Sequence, residues 1–534
     1  MLHITNGEVF TAMADLEALI SSEVKVEQMI ERYIEAESER LRQLRNSVEQ
    51  VKKASNGTGS QPAPDLNPVK AFVAMRRLTD LRGKLYDTSA ASFYIDHLNE
   101  NAATRVLDRE DVSGAAIAVF RLQDVYGFTA KEITDGLAVK GLTNIKFTAY
   151  DSLQIAKEAH FLQDYYHSVI WGLEALDRME QEKQEGTQLE AEILEYLSYA
   201  MFQTNNPERA LYYSKKLAFL DPGHARVHAS VKYYEEYLQY QAKEGKVDMD
   251  DIKLVPDSKA KMLEDKLELP PVVNPRPNDQ YGNNKNRDVY ESLCRNTNQN
   301  TTKEKDLYCY YHSTSVYSRL APFRAEILHR YPKILLLKDI VTDDEIEDIK
   351  RVAGPQLNRA TVHDRVTGKD IPATYRISKS AWLKDDDYEA TLKLDKRIRE
   401  ATGLSTEYAE QLQVANYGLG GHYDPHFDMS TPGEAPDHFE LSGWGTRIAT
   451  VLLYLSAPEE GGSTVFVDLG ISVPPSKNDA VFWFNLKPNG KPDMRTKHAA
   501  CPVIIGNKWV ANKWIHEKGQ EFRRRCQPDY FYDE

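Results

Sequence analysis

The stretch Gln413-Val-Ala-Asn-Tyr-Gly-Leu-Gly-Gly-His-Tyr-Asp-Pro-His-Phe-Asp428 decides how this chain is read. It holds two His-x-Asp pairs, His422 with Asp424 and His426 with Asp428. On an extended strand, residues i and i+2 point to one side. One imidazole and one carboxylate of such a pair can therefore take one face of a metal ion. A second histidine from a distant strand completes a 2-His-1-carboxylate facial triad, which leaves positions open on Fe(II) for a cosubstrate and oxygen. His438, His498 and His516 are the candidates for that third ligand, and spacing alone does not choose among them.

The surrounding sequence has a β texture. From about residue 333, apolar runs recur between turn residues: Ile334–Leu337, Gln411–Tyr417, Arg447–Leu455, Ala480–Phe484 and Lys508–Ile515. Many short strands with glycine-rich turns predict a sandwich or jelly roll. One helix is expected to interrupt them at about 342–353, capped by Thr342 or Asp343 with acids in its first turn. In Gly506-Asn-Lys-Trp-Val-Ala-Asn-Lys-Trp-Ile-His516, a strand over 507–516 would set Lys508 and His516 on one face and Lys513 on the other. A lysine inside a barrel is costly unless it meets an anion. The carboxylate of a metal-chelating 2-oxo acid would supply one.

Upstream the texture is helical. Leu16, Leu19, Ile20, Met29, Ile30, Tyr33, Ile34, Leu41, Leu44, Val48 and Val51 recur at three- and four-residue steps. They predict a long helix over about 8–55, with a stripe for a core or a coiled-coil contact. A break at Gly57–Pro64 and a second helical block over about 68–128 follow. Residues 145–240 read as short helices joined by tight turns. Ala210 to Pro222 fits one tetratricopeptide-type repeat, with a weaker copy at about Ala159–Leu176. Tyrosines crowd there, and an aromatic groove is a seat for an extended proline-rich peptide. Residues 241–290, polar and carrying five prolines, read as a linker.

Composition bounds the rest. A chain of 534 residues suggests three or four domains. No apolar run approaches the ~20 residues that a membrane-spanning helix needs. The net charge of −14 argues against a dedicated nucleic-acid protein, which needs a basic surface. Four cysteines are too few for a disulfide scaffold, and they fall in two close pairs that short-loop disulfides would explain. The opening residues lack the basic and apolar regions of a secretory leader, so the chain is expected to be cytosolic or already processed. The cysteine pairs and two sequons, at Asn56 and Asn300, favour an oxidising compartment.

In combination these motifs resemble the collagen prolyl 4-hydroxylases, specifically their α subunit, along the whole chain. Besides residues 413–428, the likeness rests on Arg447-Ile-Ala-Thr450, Gly461-Gly-Ser-Thr-Val-Phe466, His498-Ala-Ala-Cys-Pro-Val503, Tyr375-Arg-Ile-Ser-Lys-Ser-Ala-Trp382 and Glu521-Phe-Arg-Arg524. The resemblance implies a multidomain α+β chain. Its parts would be an all-α N-terminal dimerisation region at 1–140, a TPR-like peptide-binding domain at 145–240 and a linker with a disulfide loop at 241–332. A double-stranded β-helix (jelly-roll) dioxygenase domain would occupy 333–534. His426, Asp428 and His498 would hold Fe(II), and Lys508 would bind the distal carboxylate of 2-oxoglutarate. Tyr417 and Thr464 would add hydrogen bonds, and His516 would assist binding and turnover of the cosubstrate. Tyr423 and Arg447 stand where related enzymes touch the peptide, while Tyr196, Tyr199, Arg226 and Tyr233 fit the peptide groove. Ser230 and Glu236 depart from the asparagine and tyrosine of relatives, and His422 from a glutamine, which makes it a decoy. The implied disulfides are Cys294–Cys309 and Cys501–Cys526. The implied reaction hydroxylates C4 of prolines in X-Pro-Gly repeats of procollagen, turning 2-oxoglutarate and O2 into succinate and CO2, with L-ascorbate restoring the iron. The implied setting is an α2β2 tetramer with protein disulfide isomerase in the endoplasmic reticulum lumen. The alternatives are a catalytically silent collagen-binding chaperone and a dioxygenase acting on a non-collagen peptide.

Overall fold

The computed structural model describes residues 11–55, 109–135, 147–245, 270–277, 284–296 and 307–527, apart from residues 185, 365–368, 373–374, 419, 434–435 and 437. The chain forms two compact units, residues 1–9 with 14–111 and residues 10–13 with 112–534. In the first, α1 spans Met13–Ser55, as the apolar periodicity predicts. Ion pairs between residues three apart, Arg40 with Glu37 and Arg42 with Glu39, line its surface, and Ile30, Ile34 and Leu41 stay exposed. The expected helical block over 68–128 falls largely outside the described residues, as do Asn56 and Asn300.

The second unit opens with α2 (Arg109–Tyr126) and α3 (Ala130–Thr134). Five helices follow, each packed on the next: α4 (Ala149–Phe161), α5 (Tyr165–Gln181), α6 (Gln188–Gln203), α7 (Pro207–Leu220) and α8 (Val227–Lys243). Each presents an apolar stripe, and one cluster including Val169, Leu194, Leu197, Met201, Leu211, Leu217, Tyr234 and Leu238 binds α5 to α8. These are the short helices expected over 145–240. Where linker was expected, residues 270–277 run extended and α9 spans Asn284–Arg295.

The C-terminal part is β-rich. Its strands in chain order are β1 (Cys309–His312), β2 (Phe323–His329), β3 (Ile334–Lys338), β4 (Asn358–Arg359), β5 (Thr361–Asp364), β6 (Lys369–Pro372), β7 (Ser378–Leu383), β8 (Leu412–Tyr417) and β9 (Tyr423–His426). Then come β10 (Arg447–Tyr454), β11 (Glu460–Gly461), β12 (Thr464–Phe466), β13 (Ile471–Val473), β14 (Ala480–Phe484), β15 (His498–Ala500), β16 (Val503–Ile505) and β17 (Trp509–His516). A nine-stranded sheet runs in the order β1-β2-β3-β14-β10-β17-β8-β7-β4, and a four-stranded sheet in the order β13-β12-β15-β9. Every pairing within these two sheets is antiparallel. Leu336, Ala415, Tyr417, Leu452, Tyr454, Phe466, Ile471, Trp483 and Val510 pack between the two sheets. The other face of the large sheet lies under α11 (Asp343–Ala353, with the short α10 at Val316–Leu320 before it) and α12 (Glu389–Thr402). Helix α11 begins where expected: Thr342 and Glu345 exchange side-chain and backbone hydrogen bonds in a capping box.

Alternation along the strands decides what points inward. On β10, Thr450, Leu452 and Tyr454 face the interior, opposite Trp514, Asn512 and Val510 of β17. Lys513, of the other parity, leaves the core and pairs with Asp385 at 2.5 Å and Asp395 at 3.9 Å beneath α12.

The two expected short-loop disulfides are not formed. Cys294 is bonded to Cys501, while Cys309 and Cys526 are free and exposed. The cause is packing. Helix α9 lays Tyr290, Leu293 and Cys294 into one apolar cluster with Val465, Val467, Ala499 and Cys501. Cys309, by contrast, opens the edge strand β1. Closeness along the chain did not translate into closeness in space.

Candidate metal centre and cosubstrate pocket

Strand β9 carries His426 and stops two residues before Asp428. It pairs with β15, whose first residue, His498, lies directly opposite His426. That register brings the three side chains together: their donor atoms lie within 4.8 Å of one another. Asp428 faces both imidazoles, with His426 Nε2 at 3.7 Å and His498 Nε2 at 3.6 Å from its oxygens. Each ring is held from behind. His426 Nδ1 donates to the Asp424 carbonyl at 2.7 Å, and His498 Nδ1 donates to the Thr496 carbonyl at 3.1 Å. Both Nε2 lone pairs are thereby turned toward the shared point, the orientation that metal-binding histidines require. Burial, then the neighbouring His498, pushes His426 down to about 3, so it is neutral and ready to ligate. Burial alone would raise Asp428, but His498, His426, Arg447 and the Thr450 hydroxyl together hold its carboxyl below the usual range.

The donor set fits Fe(II): two imidazoles and one carboxylate converge on one point. A relay fixes the carboxylate. Thr450 Oγ1 donates to Asp428 Oδ2 at 2.7 Å, Asn485 Nδ2 donates to Thr450 Oγ1 at 2.9 Å, and Trp483 Nε1 donates to Asn485 Oδ1 at 2.8 Å. His422 stands apart from this cluster. It is buried, pushed down to about 4 by its burial, and faces Asp424 at 3.2 Å.

The same interior holds a buried lysine. Lys508 is 1% exposed. Its Nζ donates to the Gly462 carbonyl at 2.6 Å and sits 4.7 Å from the centre of the Tyr417 ring. Burial pushes it down from 10.5 to about 7. Gly462 has φ +72°, and a Cβ there would come within 3.2 Å of the Lys508 side chain, so the glycine pair Gly461-Gly462 makes room for the lysine. Thr464 accepts from the Tyr454 hydroxyl at 2.9 Å in the same interior. Tyr417 joins the two halves of the site: its ring underlies Lys508, and the Asp428 charge is among the influences that raise its hydroxyl to about 12, after burial. His516 sits eight residues on, at the other end of β17. Its Nδ1 donates to the Gly445 carbonyl at 2.7 Å and its Nε2 faces Glu410 at 3.1 Å. The structure thus groups Tyr417, Thr464 and Lys508, and sets His516 in a different cluster.

That cluster is the rim. Arg447 grips both oxygens of Glu410, stacks 4.1 Å from the Trp514 ring centre and reaches the Asp428 carbonyl at 3.4 Å. Burial raises Glu410, but Arg447 and His516 more than offset it and keep the carboxyl ionised. Tyr423 lies flat on His426, with ring centres 3.5 Å apart, and Arg376 covers its face at 4.9 Å. Glu410, Arg376, Thr450, Tyr454 and Asn485 do not stand out in the sequence. Only Thr450 and Arg376 fall inside the family-like motifs, and the inward parity of β10 is the one signal that could have found Thr450.

In the helical repeat, His160 contacts Tyr196 and Tyr199 edge-on at 5.0 and 5.1 Å, and Tyr165 lies 5.8 Å from Tyr199. Tyr233 meets Phe202 at 5.4 Å. The buried Tyr234 connects the two groups, raised to about 12 by burial and then by Tyr199 and Tyr233. Arg226 is exposed and paired with Glu195. The four expected groove residues therefore share one surface, with Tyr199 and Tyr233 exposed.

Family models match this chain in three places. Residues 12–140 match the prolyl 4-hydroxylase alpha-subunit N-terminal region, residues 149–240 the prolyl 4-hydroxylase peptide-substrate-binding domain, and residues 412–516 the 2OG-Fe(II) oxygenase superfamily. The chain is 40% identical to prolyl 4-hydroxylase subunit alpha-1 of Caenorhabditis elegans, over 97% of this chain and 90% of that protein. It is 41% identical to subunit alpha-2 of the same organism, over 98% and 94%. The chain belongs to the prolyl 4-hydroxylase alpha-subunit family. Human prolyl 4-hydroxylase subunit alpha-1 is 37% identical over 97% of this chain and 95% of its own length. Among solved structures, a viral collagen prolyl hydroxylase from Paramecium Bursaria Chlorella virus-1 is 27% identical, covering 34% of this chain and 95% of its own, with a TM-score of 0.28. As a prolyl 4-hydroxylase α subunit, the chain is a proline 4-dioxygenase that uses Fe(II) and 2-oxoglutarate. No helix among the described residues is long and apolar enough to cross a membrane.

Proposed function

We propose that this chain hydroxylates C4 of prolines in X-Pro-Gly repeats of procollagen, consuming O2 and 2-oxoglutarate and releasing succinate and CO2. The observation that carries this reading is the convergence of His426, Asp428 and His498 on one point, with Lys508 buried against Tyr417 of the same interior. Those three residues would hold Fe(II), which supplies the oxidising chemistry when bound. Lys508 would bind the far carboxylate of 2-oxoglutarate as a buried point charge, with Tyr417 and Thr464 as hydrogen-bonding neighbours. That would leave its 2-oxo acid end free for the metal. Thr450 holds Asp428 against rotation. Tyr423 and Arg447 would guide the peptide at the rim. Tyr196, Tyr199, Arg226 and Tyr233 would hold a further stretch of the same proline-rich chain.

The division at 1–140, 145–240, 241–332 and 333–534 belongs to the same proposal, as do L-ascorbate as the reductant of the iron and His516 as an aid to 2-oxoglutarate turnover. So do an α2β2 assembly with protein disulfide isomerase, residence in the endoplasmic reticulum lumen and glycans at Asn56 and Asn300. The resemblance of the whole chain to the α subunits supports them.

The test is direct. The chain is coexpressed with protein disulfide isomerase, and succinate and 4-hydroxyproline are measured on a (Pro-Pro-Gly)-type peptide. Alanine at His426, Asp428 or His498 should abolish both products. Full activity in any of the three would sink the assignment. Succinate formation without hydroxyproline on this peptide would favour a non-collagen substrate.

A further inference from the structure

The segment Pro270-Pro-Val-Val-Asn-Pro-Arg-Pro277 joins no helix or strand. Its prolines fix φ near −65° and push the preceding residues into the extended region, so it is stiff. It is also tied down along its length. Asn206, at the turn between α6 and α7, grips Val273 by both backbone groups: Nδ2 donates to the carbonyl at 2.8 Å, and the Val273 N–H donates to Oδ1 at 2.7 Å. Arg209 Nε donates to the Pro270 carbonyl at 2.8 Å, Asn274 Nδ2 donates to the Tyr166 carbonyl at 2.9 Å, and Val272 packs on the apolar core of the repeat.

The far end enters a buried charge cluster. Arg276 reaches Asp124 of α2 at 3.0 Å and Glu291 of α9 at 2.7 Å. Asp124 also faces His167 of α5 at 3.3 Å. Glu291 also pairs with Arg295 at 3.0 Å, which donates to the carbonyls of Asp124 and Val125 at 2.8 and 2.6 Å. Three residues beyond Glu291, Cys294 is bonded to Cys501, itself three residues beyond His498. The Tyr126 hydroxyl adds a hydrogen bond to the Pro502 carbonyl at 2.6 Å. A continuous set of directional contacts thus runs from the helical repeat to the metal-bearing strand.

We infer that residues 270–277 act as a strap that fixes the tyrosine-lined groove relative to the metal centre, with Asn206 and Arg276 as its two positioning residues. This rests on the proposed function, in which one peptide occupies both places. A chain held at two sites gains an effective concentration at the second that depends on their fixed spacing. The strap is anchored through Asn206, Arg209 and the Tyr166 carbonyl, while the side chains of Tyr199 and Tyr233 remain exposed to receive a ligand. Its consequence falls on substrates long enough to span groove and iron.

The test uses the full chain coexpressed with protein disulfide isomerase, with short and long (Pro-Pro-Gly) peptides. Asn206→Ala, which leaves the charge cluster intact, and Arg276→Gln should each raise KM for the long peptide by roughly 10-fold. The kcat, the KM for the short peptide and the affinity of the groove for a proline-rich ligand should stay put. Arg276→Lys should restore part of the long-peptide KM. An unchanged long-peptide KM in both variants overturns the inference, as does a groove affinity that falls in step with it, which marks a merely structural role. Equal KM values for short and long peptides in the unmodified enzyme also overturn it. Failure of the unmodified enzyme to hydroxylate either peptide would instead strike the proposed function.

Discussion

Replacing Lys508 by methionine separates a structural lysine from one that waits for an anion. Without an anion, burial holds Lys508 at about 7, against 10.5 in solution. At about 1.4 kcal/mol per tenfold, a charged lysine there costs the folded protein roughly 5 kcal/mol. Because the folded value is depressed, the unfolded chain binds more protons between about pH 7 and 10.5, and stability rises with pH across that window. The cost is fully present below about pH 7 and gone above about pH 10.5. Lys508→Met should therefore raise the apoprotein's melting temperature near neutrality and flatten its pH dependence. The same variant should lose 2-oxoglutarate. A buried carboxylate left without its cation costs on the order of 3–5 kcal/mol, which places the rise in KM for 2-oxoglutarate at about two to four orders of magnitude. In the unmodified enzyme, binding must recharge the lysine, so affinity for 2-oxoglutarate should weaken by up to about tenfold per pH unit above 7. Succinate release against cosubstrate concentration, thermal scans from pH 6 to about 10 and iron content by metal analysis decide it. A less stable variant with an unchanged KM would refute the reasoning.

Three further outcomes are expected from the geometry. His422→Ala should keep iron and activity, while losing about 1–3 kcal/mol of stability with its buried pairing to Asp424; loss of iron in this variant would place His422 in the ligand set. Thr450→Val removes the hydroxyl between Asp428 and Asn485 and should weaken Fe(II) binding by roughly 10- to 100-fold, measured by metal titration. Peptide mapping without reduction should recover Cys294 linked to Cys501, with Cys309 and Cys526 open to alkylation; a Cys294–Cys309 peptide would contradict the fold around α9.

What could be read in advance was what depends on local periodicity. Alternation along Lys508–His516 correctly separates the interior Lys508 from Lys513, which pairs beneath α12. A cap at Thr342 or Asp343 with acids after it marks the start of α11, and the structure settles on Thr342. What residue spacing could not give depends on distant pieces meeting. The choice of His498 over the other histidines comes from the β9–β15 register, which no spacing in the chain contains. The disulfide pairing depends on α9 packing against the small sheet. Residues 270–277 have the composition of a linker, and only their partners, Asn206, Arg209 and Asp124, reveal a fixed element.

The Cys294–Cys501 bond spans 207 positions, whereas Cys309 lies only fifteen positions after Cys294. In a chain still emerging from the ribosome, Cys294 meets Cys309 long before Cys501 exists. At about 5–20 residues per second the wait is on the order of 10–40 seconds. Loop-closure entropy favours the short pairing in the unfolded chain by roughly 2 kcal/mol. The strand that carries His498 is thus locked only after an early, wrong bond has been avoided or undone. Order of synthesis works against this topology.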